Sequence, residues 1–278
     1  MLQPRLVLQI SNLKPIDMKT IQIVTVITFL FFSNFLFSCD CEPPRLINRF
    51  IFSDFVASAK ILKVTKDNKS NDYHNIEVEI LDLYKGKNTT SLRIFSALGS
   101  SCSFLTPENS TWLIFADYNK KGQLVFNYCS GAQQIDQRFN KEMFPNAHEN
   151  HKRSIELQTQ VLHYLKNQKL NLKNEYNLKV GVSSECLKQF RGVQIKNDRF
   201  ALYEVTINKD LSIEKVHSIK NFDNLEIQEQ LMKCLEDNVK VYNYRSILKI
   251  PKKTKIILPL YFYPPEKSHP GFISNFDL

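Results

Sequence analysis

The sequence predicts a small closed or nearly closed antiparallel β-barrel, all-β and five-stranded, followed by a smaller α+β domain in strand–strand–helix–strand order. Three observations carry this. Between residues 55 and 128, five short stretches alternate apolar and polar side chains and are separated by clusters of Gly, Pro, Ser and Asn, the pattern of strands that bury one face. Asn171 to Asn177 is short and mostly polar, which marks a boundary. Beyond it come a hairpin pattern, a helical stripe and one last apolar strand. Many short strands in so brief a span suit closure into a barrel, which removes exposed sheet edges.

Ahead of the barrel, Met18-Lys19-Thr20 and the apolar run from Ile21 to Phe37 read as a signal peptide, with Ser38 as the small residue before the cut. The run approaches the length that spans a bilayer. A transmembrane anchor is therefore the competing reading, but Cys39 and Pro43-Pro44 follow at once, with no basic stop-transfer cluster. Met18 is then the more natural start, and residues 1–38 form leader and signal peptide. Removing them leaves 34 basic against 27 acidic residues, a formal charge of +7 over 240 residues. Those charges are spread along the chain rather than gathered in a stripe, which argues against nucleic acid as a partner. Six cysteines, an even number, fit an oxidising compartment. Leu36-Phe37-Ser38-Cys39 also resembles the lipobox of bacterial lipoproteins. Lipidation of Cys39 is the only expected route to a membrane, and it excludes that sulfur from a disulfide.

Cys39-Asp40-Cys41-Glu42-Pro43-Pro44 opens the exported chain. A Cys-x-Cys pair closes poorly on itself, because a disulfide needs suitable Cα separation and Cβ directions. Both cysteines must look elsewhere, and Cys102 and Cys129 are the candidates. Phe55 to Val64 places Phe55, Ala57, Ala59 and Ile61 on one face and then shifts to Leu62 and Val64, as a strand does at a bulge. Asn75 to Leu83 sets Ile76, Val78 and Ile80 against Glu77 and Glu79, and Lys85-Gly86-Lys87-Asn88 turns the chain. Ser91 to Ala97, Thr111 to Tyr118 and Gln123 to Tyr128 complete the five strands. His151 to Lys169 reads as a helix with Ile155, Leu157, Val161, Leu162 and Leu165 on one side, packed on the barrel.

Taken together, Cys39-x-Cys41-x-Pro43-Pro44, Ser53-Asp54-Phe55-Val56 with Ala59-Lys60, Tyr84-Lys85-Gly86, Ser101-Cys102, Trp112-Leu113-Ile114-Phe115-Ala116 and Cys129-Ser130 resemble the netrin-like domain of tissue inhibitors of metalloproteinases. The resemblance covers roughly residues 39–135. It implies an OB-type five-stranded barrel, with the N-terminal segment stapled to it by Cys39–Cys102 and Cys41–Cys129. The first of these closes a loop of about 64 residues, worth roughly 4 kcal/mol in the chain-entropy model. The inhibitors carry a further cysteine before the Ser-Asp element, where this chain has Ile51 and Phe52, so that disulfide is absent. Residues 39–168 are assigned to the barrel and its trailing helix, 169–177 to a linker and 178–278 to the second domain.

In the second domain, Phe200 to Asn208 and Ile213 to Ile219 form a hairpin across Lys209-Asp210. Asp223 and Glu226 resemble a capping pair, followed by Ile227, Leu231 and Leu235 along a helix. Ile256 to Tyr263 is the closing strand. Pro259 within it lacks a ladder donor, which suggests an edge or a bulge. This order, ending in Ile257-Leu258-Pro259-Leu260-Tyr261-Phe262, is similar to the C-terminal domain of TonB over about residues 198–263. That family pairs an edge strand with a receptor segment. Without a long Pro-rich spacer and a retained inner-membrane helix, the resemblance extends to the fold and not to the transducer role. Residues 178–278 are expected to fold without the barrel. Cys186 and Cys234 either pair within this domain or, for Cys234 on the apolar side of a helix, stay as buried thiols.

No enzyme signature is present: there is no Gly-x-Ser-x-Gly, Walker loop or His-Glu-x-x-His. His148 and His151 with Glu149 lack the spacing of a recognised metal site and read as surface histidines near a helix start. Neither a cofactor nor a metal of its own is expected. A non-catalytic binding protein results. The netrin-like resemblance implies a mechanism, in which the α-amine and carbonyl of Cys39 chelate the active-site zinc of a metallopeptidase and the next side chain, here Asp40, enters its pocket. The inhibitory ridge would comprise Cys39, Asp40, Cys41, Glu42, Ser101 and Cys102. The alternative is a lipid-anchored cell-envelope interaction protein, whose partner is another envelope protein and which has no inhibitory activity.

Overall fold

The computed structural model describes Cys41 and residues 44–168, 174–242, 248–266 and 269–275. The first element among the described residues, α1 (Leu46–Phe52), has no counterpart in the sequence-based expectation. The barrel strands follow as β1 (Phe55–Lys66), β2 (Tyr73–Lys85), β3 (Ser91–Phe95), β4 (Thr111–Tyr118) and β5 (Leu124–Asn127). Their order around the wall is β1-β2-β3-β5-β4, and β4 pairs back to β1 to close it. The barrel is mixed rather than wholly antiparallel, because β3 and β5 run parallel. The alternation of side chains has period 2 in either direction, so it cannot report strand polarity.

Strand β1 serves two neighbours. It pairs with β4 over Phe55–Lys60 and with β2 from Val56 to Lys66, and register slips bend it between them. One slip falls between Ile61 and Lys63, at the break in alternation expected there, and Leu62 turns to solvent. Phe55, Ala57, Ala59 and Ile61 face the interior with Ile76, Val78, Ile94, Trp112, Ile114 and Phe126. The turn after β2 needs Gly86: its φ is +94°, and a Cβ there would lie 2.8 Å from the Asp54 carbonyl oxygen.

Helix α2 (Ala147–Asn167) starts four residues before the expected His151 and ends before Lys169. Its apolar stripe is buried as expected, but it meets two partners. Leu157, Val161, Leu162 and Leu165 share one apolar layer with Leu46 and Ile47 of α1, with Val56, Tyr84, Leu113 and Phe115 on the outer wall of the barrel, and with Phe200, Leu202, Ile257 and Tyr261. The last four belong to the C-terminal sheet.

That sheet consists of β8 (Phe200–Ile207), β9 (Ile213–Lys220), β11 (Thr254–Tyr263) and β12 (Phe272–Ser274), in the order β12-β11-β8-β9. A separate pair is formed by β7 (Lys179–Val182) and β10 (Val239–Tyr242). Two helices, α3 (Ser184–Lys188) and α4 (Leu225–Asn238), pack with Ala201, Tyr203, Val205, Leu258 and Leu260 on the sheet face turned away from α2. The C-terminal half is thus α+β as expected, with β7, α3, β10 and β12 added to the expected strands and helix. Asn224, not Asp223, caps α4, accepting from the Glu226 amide at 2.9 Å. Asp223 instead accepts from the amides of Lys196 and Asn197. Pro259 sits opposite Leu202 without a bulge. Phe262 donates to Arg199 on the β8 side, so residues of odd number, Pro259 included, turn their amide side away from β8. On that edge β12 pairs with Tyr261–Tyr263.

Within the expected linker, residues 169–173 lie outside the described set. Asn174 is buried and exchanges two hydrogen bonds with Leu178, a packed turn. Cys41–Leu278 form one compact unit.

Candidate functional site

One end of the barrel carries the cysteines singled out by sequence. Cys41 is disulfide-bonded to Cys129, 88 positions along the chain, with Cα atoms 5.5 Å apart. Cys129 lies in a single helical turn, Tyr128–Ser130, whose geometry is fixed locally. The Asn127 side chain accepts from the Cys129 amide, and the Ser130 hydroxyl accepts from the Asn127 amide. Gly131 follows at φ +73°, where a Cβ would collide with the Arg49 side chain.

Arg49 explains that collision. It is 5% exposed on α1, donates to the Gly131 carbonyl at 2.6 Å and to Gln158 of α2 at 3.4 Å, and stacks 4.7 Å above the Phe115 ring. Gln158, fully buried, donates onward to Gln133 of the short strand β6 (Gln133–Gln134). A buried guanidinium is tolerated only with such partners. These bonds fix α1 to the turn that carries Cys129. The described part of the N-terminal segment is thus held at both Cys41 and Arg49.

The loop joining β3 to β4 completes this end. Its neck is closed by the Phe104 amide donating to Ser96 at 2.9 Å. Phe104 makes edge contacts with Trp112, Phe126 and Tyr128, so it plugs the barrel mouth. Two residues earlier, Cys102 donates its amide to the Ser100 hydroxyl and is itself disulfide-bonded. Ser101 is exposed beside it. Leu98, Leu105 and Tyr128 are 49%, 42% and 54% exposed around this loop and turn. Three large apolar side chains at one rim are a surface that a partner can cover.

Cys39, Asp40 and Glu42 lie outside the described residues. Cys41, Cys129, Ser101 and Cys102 are brought to the same barrel end. Cys186 and Cys234 are joined to each other, both buried, linking α3 to α4 away from that rim. The rim residues Leu98, Leu105 and Tyr128 went unnoticed in the sequence. Their signal was the presence of apolar side chains in a Gly/Ser/Pro-rich loop beside Cys102 and Cys129.

The Ser-Asp and Lys-Gly elements prove to be structural. Ser53 ends α1 through its amide to Arg49. Asp54 accepts from the Tyr118 amide, and its own amide donates to Ala116 and to Asp117. Lys85 donates to the Phe50 and Ile51 carbonyls at 2.8 Å each, capping the α1 C-terminus with a cation. Burial lowers the Lys85 pKa, against the pull of Asp54 and Asp117, and raises that of Asp117.

His148 is exposed, and His151 bonds the Gln134 carbonyl at 2.7 Å and packs on Phe139. Among the described residues no group of three or more His, Cys, Asp or Glu side chains is placed to hold a metal ion, and no helix is long and apolar enough to cross a membrane. No protein-family model matches this sequence, and no curated protein matches it either.

Proposed function

We propose that the chain is an exported, non-catalytic binding protein that presents its N-terminal segment from the clasped end of an OB-type barrel, as an inhibitor of zinc metalloendopeptidases. The observation that carries this is the Cys41–Cys129 disulfide. It fastens the chain two residues beyond Cys39, on a barrel end that also bears the disulfide-bonded Cys102 and the exposed rim of Leu98, Leu105 and Tyr128. The wall order β1-β2-β3-β5-β4, closed by β1, supports the OB-type reading. Disulfide usage supports export to an oxidising compartment.

In this reading Cys39 is the partner of Cys102, and its free amine and carbonyl occupy the open position of a peptidase zinc. A segment held rigidly offers no correctly placed scissile bond and loses little entropy on binding. Asp40 limits the fit, since a carboxylate driven into an apolar pocket without a partner loses several kcal/mol of hydration.

The test is an inhibition constant against a panel of zinc endopeptidases for three proteins: one starting at Cys39, one with an added Ala ahead of it, and Asp40→Ser. The native start is expected to inhibit, the extended form to lose inhibition, and Asp40→Ser to inhibit more tightly. Equal inhibition by the extended form overturns zinc chelation. No inhibition by any of the three, together with an intact mass showing lipid on Cys39, replaces this reading with the envelope-interaction protein.

A further inference from the structure

Where α2 meets the C-terminal sheet, a cavity of about 300 Å³ is lined by Arg153, Arg199, Tyr263, Glu266, His269 and Phe272, among others. Its two arginines differ. Arg153 donates to Asn150 at 2.6 Å and to Glu266 at 2.7 Å, so its charge is matched. Arg199 is part-buried, and its one hydrogen bond runs from Nε to the Phe262 carbonyl at 3.4 Å. Its two terminal amino groups meet no acceptor among the described residues. Burial and the neighbouring Arg153 lower its pKa, and the Glu156 carboxylate opposes them without forming an ion pair. A part-buried guanidinium that lines a cavity with open donors can take an oxyanion there.

The rest of the cavity restricts which oxyanion. With Arg153 paired to Glu266, Arg199 is the arginine of the cavity without an ion pair among the described residues, and the nearby Glu156 carboxylate weighs against a doubly charged ligand. Tyr263 and Phe272 stack with ring centres 4.9 Å apart and planes 10° from parallel, and His269 sets its edge against Phe272. These rings form an apolar wall beside the open guanidinium. The volume lies at the lower end of the range for small-molecule sites.

We propose that this cavity binds a small monocarboxylic acid with a flat apolar body, its carboxylate on Arg199 and its body against Tyr263 and Phe272. The planar fork of the guanidinium matches a carboxylate bidentately. The site is independent of the zinc-inhibitor reading, since it uses no residue of the clasped barrel end.

Benzoate, benzamide and inorganic phosphate, titrated into the full chain and followed by amide NMR shifts, test it. Benzoate is expected to shift residues around Arg199 and Phe272. Benzamide, the neutral analogue, should bind at least about tenfold more weakly, the loss expected of a charge-assisted pair. Arg199→Gln should reduce benzoate to the benzamide level, and Arg199→Lys, which keeps the charge but loses the fork, should fall between. Benzamide binding as tightly as benzoate overturns the anion site. Phosphate binding more tightly than benzoate overturns the monocarboxylate assignment. The ligand comparison is made on the unaltered chain, so a variant that fails to fold leaves the test standing.

Discussion

The barrel wall and the four-stranded sheet use similar apolar residues and bury them differently. In β2, Ile76 and Val78 point inward while Glu77 and Glu79 stay wet. In β11, seven consecutive residues from Ile256 to Phe262 are buried. A barrel makes its own interior and can leave much of its outer wall to water. An open sheet has two faces, and here both are covered, one by α3 and α4 and the other by α2. The difference teaches that the sheet is completed by a helix that the sequence assigns to the other half.

The largest predicted effect comes from separating the two. A fragment of residues 178–278 would uncover Phe200, Leu202, Ile257 and Tyr261, each 7% exposed or less in the full chain. Burying a large apolar side chain contributes about 1.5–3 kcal/mol. Four together rival the ~5–15 kcal/mol stability of a whole domain. The fragment is therefore expected to lack a cooperative melt, reversing the expectation of independent folding, whereas a fragment extended back to Ala147 should recover part of it. A cooperative melt and dispersed amide spectrum for residues 178–278 alone would show that the α2 layer is dispensable to the sheet.

Much of this fold was legible because it is local. The five barrel strands, the hairpin and the stripes of α2 and α4 are written as periods of 2 or 3.6. What was missed depends on distant partners. Helix α1 was hidden because Arg49 interrupts its apolar face, and its burial is licensed by Gly131 and Gln158, which lie 82 and 109 residues away. The cap of α4 was misplaced by one residue because Asp223 is taken up by backbone amides 26 and 27 residues earlier. The run from Ile256 to Phe262 held a cue, since a strand without polar alternation is covered on both faces. At the candidate site the cysteine residue types were readable, and the apolar rim was not, because loop residues follow no period.

A second effect, about 2–5 kcal/mol, is expected on the barrel side for Cys41→Ser. Cys41 is only partly buried, so the substitution changes packing little and acts mainly by freeing a loop of the unfolded chain. Arg49 still anchors α1 to Gly131 in this variant. The full chain should therefore unfold at lower denaturant concentration while keeping the slope of a complete core. A reduced slope would mean that the clasp holds α1 in place and that Arg49 alone does not.

The smallest effect concerns the polar corner of the barrel. Asp117 accepts from the Asp54 amide at 3.3 Å, and desolvation is the strongest influence on it, raising its pKa above the ordinary 3.8. The Asp54 amide and Lys85 oppose that rise, and the Asp54 carboxylate adds to it. A raised folded pKa means that the native state holds the proton more tightly than the unfolded chain. The resulting stability is fully present below the unfolded value and is lost as pH rises through the folded one. Lys85 shifts downward from 10.5, so its own contribution belongs to the alkaline range and leaves the acid window to Asp117. Asp117→Asn keeps an acceptor for the Asp54 amide and removes the charge. Relative to the native chain, the variant should gain stability as pH rises from just below 4 towards neutrality, by a fraction of 1 kcal/mol as befits a solvent-screened position. Unfolding midpoints of the two proteins across that range are the measurement. Parallel curves would mean that the Asp117 carboxylate is as well hydrated in the folded barrel as in the unfolded chain, and that the corner between α1, β1 and β4 is open to water.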